Sequence, residues 1–245
     1  MVKIDKLTQL SGNKFYSEEL RLDFRPPTLR DIVYLGVEVF WKMQALINFD
    51  KKSLATVEGI SQETLEKTKN FDWIYSFVNN DKKTEENLRN YFLLFFPNYE
   101  ILLYQKNLAQ FVLKNGEEVH IIDSTNFDLF KETIIKLTSI KDEEEDIFVD
   151  EKNEAAMRIR KKLLEARKKR SEKKNVSQEE QASILANSIS TLATGLGVTL
   201  NQIYDLTLPQ FFEQLKRFQR KVSHEEGFSA VLAGASGIEV EDWYS

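Results

Sequence analysis

The densest run of chemistry-bearing side chains lies between Arg158 and Lys174. Seventeen residues there hold ten bases, among them Arg158, Arg160, Lys161, Lys162, Arg167, Lys168, Lys169 and Arg170, and only two acids. Such a run has the charge to neutralise several backbone phosphates. No aromatic side chain is interleaved with the bases, so stacked bases have no platform. Just before it, residues 141–154 (KDEEEDIFVDEKNE) hold eight acids against two lysines, which compete for the same cations. A solvated charged helix is the expected reading, with nucleic acid as the weaker alternative. The other candidates carry less. His120 and His224 are the two histidines, far apart in sequence and without a metal-ligand spacing. The chain has no cysteine, which excludes disulfides, thiolate metal sites and thiol catalysis. Gly195 and Gly197 follow a helical pattern rather than a strand, so they read as a helix stop and not as a phosphate loop. No nucleophile motif or calcium-loop spacing occurs. The expectation is a protein without catalytic residues, metal or cofactor.

The elements around these residues follow from periodicity. The chain has 245 residues and is 42% hydrophobic and 30% charged with few Gly and Pro, which describes a folded, helix-rich protein. Its first twenty residues lack the continuous apolar core of a signal peptide. The densest apolar run, 91–104, is interrupted by Pro97, Asn98 and Glu100 and falls short of the about 20 residues a membrane span needs, so it reads as core. Leu20, Leu22 and Phe24 alternate with charges as a half-buried strand ended by Pro26 and Pro27. Thr28 and Asp31 form a capping-box pair for a helix whose stripe is Ile32, Val33, Gly36, Phe40, Met43 and Ile47. Ser61 is the expected N-cap of the next helix, with a break near Asn70, and Thr84 that of a helix closed by Pro97.

Asn115-Gly116 marks a β-hairpin, with Phe111 and Leu113 alternating before it and Val119 and Ile121 after it. A helix capped near Ser124 follows, with Phe127, Phe130, Ile134 and Leu137 on one stripe. Residues 1–140 are therefore expected to be an α+β unit with a small antiparallel hairpin or sheet. Residues 141–152 read as an acidic linker. Residues 153–245 read as an all-helical part whose first element is the basic helix 153–174, seamed thinly by Ala156, Ile159, Leu163 and Ala166. Ser177 and Glu180 cap the next helix, which Gly195 and Gly197 stop. Thr199 starts a short helix and Thr207 with Pro209 a long one. The long one carries Phe211, Leu215, Phe218 and Val222 on one stripe. Phe212 stands about 100° to the side. Seventeen Phe are core by default, yet Phe212, with Trp243 beyond the helix, is the candidate docking edge for an apolar partner helix.

The order of these parts resembles proteins from the tail genes of tailed bacteriophages, especially those of Gram-positive hosts. The likeness rests on PPTLRDIVYLGVEVFWKM (26–43), NFDLF (126–130), the charge-rich RIRKKLLEARKKRSEKK (158–174) and SILANSISTLAT (183–194). VTLNQIYDLTLPQFFEQLKRFQRK (198–221) and the ending LAGASGIEVEDWYS complete it. It implies a non-enzymatic tail assembly chaperone that binds the tape measure protein and assists recruitment of tail tube subunits. Such a protein works in the host cytoplasm and is absent from the finished virion. A structural tail or baseplate protein, or a nucleic-acid binder using the basic helix, are the alternatives. Self-association is compatible with the thin seam; a membrane or nucleic-acid partner is not expected.

Overall fold

The computed structural model describes residues 4–56, 61–104, 109–139 and 178–234. After a short helix α1 (Lys6–Ser11), strands β1 (Phe15–Ser17) and β2 (Leu22–Phe24) form an antiparallel pair. Leu22 and Phe24 point inward and Asp23 outward, as their alternation requires.

Thr28 caps α2 (Leu29–Leu35) with the expected box: its side chain accepts from the Asp31 N–H, and the Asp31 carboxylate accepts from the Thr28 N–H. The stripe predicted beyond it belongs to two helices. Gly36, at φ 99° and ψ 120°, ends α2 and starts α3 (Val37–Ile47). The kink turns Val33 outward, while Ile32, Phe40, Met43 and Ile47 are buried. Ser61 caps α4 (Gln62–Lys67), and the chain breaks at Thr68 before α5 (Asn70–Asn80). The cap of α6 (Lys82–Phe95) is Asp81 rather than Thr84: its carboxylate accepts from the Lys83 N–H and the Thr84 hydroxyl. A carboxylate that gathers two donors outcompetes a hydroxyl for the N-cap place.

Strands β3 (Glu100–Tyr104), β4 (Gln110–Asn115) and β5 (Glu118–Ile122) form a three-stranded antiparallel sheet. The turn is one residue later than expected. Asn115 pairs with Glu118, so Gly116 and Glu117 make the loop, with Gly116 alone at positive φ (60°). Glycine in first place suits a two-residue hairpin turn of the II′ kind. Odd residues of β4 then face even residues of β5: Phe111 opposes Ile122 and Leu113 opposes His120. Val119 and Ile121 therefore do not share the inner face, and both are exposed.

Helix α7 (Phe127–Thr138) is capped at Asn126, not at Ser124. Asn126 locks the turn by accepting from the Asp123 N–H and donating to the Ile121 carbonyl. Its predicted stripe is buried. After the undescribed segment come α8 (Gln178–Leu196), α9 (Leu200–Tyr204) and α10 (Leu208–Leu232). The described part beyond residue 177 is thus helical, as expected. The cap at Ser177, the acidic run 141–152 and the basic arm 153–174 lie outside the described residues. On either side of them the described elements share one core: Leu185, Ile189, Leu192, Ile203 and Phe211 join the same cluster as Phe24, Phe92 and Phe130.

Gly197, at φ 66°, ends α8, and the Val198 N–H donates back to the Ala193 carbonyl. Gly195 does not end it. It lies inside the helix, where a Cβ would stand 2.2 Å from the Phe218 ring. Its role is to let α8 and α10 approach.

Candidate partner-docking surface

Helix α10 is held at its start by three devices. Thr207 forms a capping box with Gln210, Pro209 fits the first turn, and Phe211 is fully buried. The Gln210 amide also donates to the Leu10 carbonyl at 3.0 Å, tying α1 to this turn. Beside Phe211, Phe212 emerges at the surface with 37% of its area exposed, its ring 5.3 Å from that of Phe211. Phe212 thus stands to the side of the buried Phe211, as helix geometry places it; Trp243 lies outside the described residues. Leu215, Phe218 and Val222 are half-buried, so the expected stripe fades along the helix. Beyond it Phe228, Val231 and Leu232 are exposed. Arg158, Arg160, Lys161, Lys162, Arg167, Lys168, Lys169 and Arg170 also lie outside the described residues.

The N-caps of α2 and α10 meet. Thr28 and Thr207 form an antiparallel bridge, and the Leu29 N–H donates to the Leu206 carbonyl at 2.8 Å. The Arg30 guanidinium then reaches Asp205 at 2.9 Å and lies 5.9 Å from the Tyr204 ring centre. Sequence reasoning finds both caps but not their pairing, because a cap signal is local and carries no partner.

The titratable groups support structure. Tyr91 is fully buried, and burial pushes its phenol well above its usual range. It donates to Gln44, whose amide donates to Thr138, and this chain ties α6, α3 and α7 together. His120 faces inward with its ring 5.9 Å from that of Tyr99, and its buried Nε2 has no hydrogen-bond partner among the described residues. His224 stacks on Phe228. No group of three or more His, Asp or Glu among the described residues is placed to hold a metal ion, and none of the described helices is long and apolar enough to cross a membrane.

Glu213 is the buried acid that the hydrophobic pattern misses. It follows Phe212 yet is turned toward α1, whose Lys6 lies 3.2 Å from one of its oxygens, while Arg217, one turn on along its own helix, lies 3.0 Å from the other. Burial raises its pKa, but the hydrogen bonds and charges of Arg217 and Lys6 outweigh it, and the net shift is downward. A lowered carboxylate pKa stabilises the fold above the unfolded value of about 4.3, and that stabilisation is lost as pH falls through the folded value. Glu213→Gln is therefore expected to cost about 1–2 kcal/mol at neutral pH. In denaturation curves across pH, the gap to wild type should close in acid; a gap independent of pH would assign the loss to packing.

No match was found among curated proteins or among solved structures. Residues 174–245, which include α8, α9 and α10, match the family model described as the YomV second domain, a phage-derived family.

Proposed function

We propose that this chain is a non-enzymatic tail assembly chaperone of a tailed phage. In this reading it binds apolar helices of the tape measure protein in the host cytoplasm and assists tail tube assembly, and it does not remain in the virion. The observation that carries the reading is the exposure of large apolar side chains along helices of the segment that matches the phage-derived family: Ile184, Leu196, Leu200, Phe212, Phe228 and Leu232. Isolated exposed apolar residues are ordinary, but several on successive helices are the kind of side chains that a partner helix covers. The tail-gene resemblance supplies the identity of that partner, and the charged exterior keeps such a complex dispersed.

The test is co-expression with the tape measure protein encoded in the same phage genome. Wild type is expected to co-purify with it and to hold it dispersed. Phe212→Ala should reduce capture while costing about 1 kcal/mol or less, as its position at the surface implies. If no tape measure protein is captured, or if the chain is found in purified virions at stoichiometric amounts, the reading fails in favour of a structural tail protein.

A further inference from the structure

We infer that the surface formed by the last turn of α2 and the junction of α8 and α9 is a docking site for an uncharged apolar helix, with Val33, Tyr34, Leu196 and Leu200 as its contacts. The inference deepens the chaperone reading and rests on it for the source of that helix.

Two independent observations meet at this place. One is geometric. The Thr28–Thr207 bridge and the reach of Arg30 to Asp205 and to the Asn201 carbonyl set α2 beside α9 with their directions opposed. The end of α2 and the start of α9 therefore lie toward one end of the pair. Both carry exposed apolar side chains there: Tyr34 is 93% exposed, Leu200 49%, Val33 46% and Leu196 44%. A tyrosine so fully exposed contributes nothing to the core; it stands on the side of α2 away from the buried Leu29 and Ile32.

The other observation is electrostatic. Residues 181–204 contain no Asp, Glu, Lys, Arg or His, in a chain that is 30% charged. The gap covers α8 beyond its first turn and all of α9, on exposed faces as well as buried ones. Residues 32–37 are likewise uncharged. Surfaces that face water ordinarily carry charges of both signs, and loss of charge is the compositional mark of an interface centre. Arg30 and Asp205, which join α2 to the end of α9, are paired with each other. An apolar helix seated on residues 32–37 and 181–204 meets no charged side chain of either stretch, so neither offers a charged partner an ion to pair with. The small residues Gly197 and Thr199 lie between Leu196 and Leu200 and leave room for a close approach.

The experiment uses the full chain and a labelled helical peptide of Leu, Ala and Gln, about 20 residues long so that it holds several turns. Binding is read by fluorescence anisotropy for wild type and for the Tyr34→Glu/Leu200→Glu double variant. Neither change should unfold the protein: Tyr34 is free of the core, and an acid at the first residue of α9 suits the helix N-terminus. The double variant is expected to bind about tenfold more weakly or worse, and Tyr34→Ala/Leu200→Ala to fall between. Equal binding by wild type and variant, or no binding by wild type, overturns the inference. So does a wild-type dimer in sedimentation that the variant abolishes, since the occupant is then a second copy. Peptide binding without capture of the tape measure protein would leave this site standing and sink the chaperone reading instead.

Discussion

Phe130→Ala is expected to cost about 3–5 kcal/mol, a large share of the about 5–15 kcal/mol that holds a domain together. Phe130 has no exposed surface, and its ring meets four others that come from three different places in the chain. Phe24 from β2 is 5.7 Å away, Phe92 from α6 5.4 Å, Phe96 just past α6 5.9 Å, and Phe127 from its own helix 6.4 Å. Such a site cannot collapse by moving one neighbour, because each neighbour is held by its own element. The cavity therefore stays open and its cost adds to the lost burial. Phe130→Leu keeps part of the volume and should cost less. Urea unfolding of both variants checks the order; a loss below about 1 kcal/mol for Phe130→Ala would mean the aromatic cluster can repack. The contrast with Phe212 matters for function. Two phenylalanines of one sequence are assigned opposite roles by burial alone, and the two variants separate core from surface in a single assay.

What was legible in the sequence follows a physical divide. Signals closed within one turn were readable: the capping pair at Thr28, the helix starts at Thr199 and Thr207, and the stripe Phe127, Phe130, Ile134 and Leu137 are found where periodicity and side-chain chemistry place them. Misplacements arose where two local signals compete. Asp81 and Thr84 are both good caps, and only the finished turn shows the carboxylate taking both donors. Asn115 and Gly116 are both turn residues, and the hairpin register chose Gly116 with Glu117. Gly36 sits at the right spacing for a helical stripe, yet its φ of 99° breaks the helix. Long-range facts were not legible at all. Nothing near Thr28 announces Thr207, and Glu213 is buried only because Lys6 and Arg217 meet it. The uncharged stretch 181–204 was in plain view, but its meaning depends on exposure, which periodicity does not give. Of the candidate site, Phe212 lies at the surface beside the buried Phe211, a position that helix periodicity gives, while the α2–α9 surface needed the folded chain.

Gly195 yields the sharpest test of how the C-terminal helices are set. In an isolated helix, Gly→Ala is favourable by about 1 kcal/mol. Here the added methyl would lie 2.2 Å from Cζ and 2.3 Å from Cε2 of Phe218. The ring must move by more than an ångström, and Phe218 is itself packed against the core. Overpacking of this kind costs about 1–3 kcal/mol, which exceeds the propensity gain, so Gly195→Ala is expected to destabilise. Removing the ring reverses the sign. In a Phe218→Ala background the ring that supplies the three nearest atoms is gone, and Gly195→Ala should then stabilise by about 1 kcal/mol. The four proteins of this cycle, unfolded by denaturant, should give a coupling of about 2 kcal/mol between the two positions. Additive effects would show that α8 and α10 shift apart without cost. Their spacing would then not be fixed, and the junction that presents Leu196 and Leu200 would have to be positioned by the Thr28–Thr207 pairing alone.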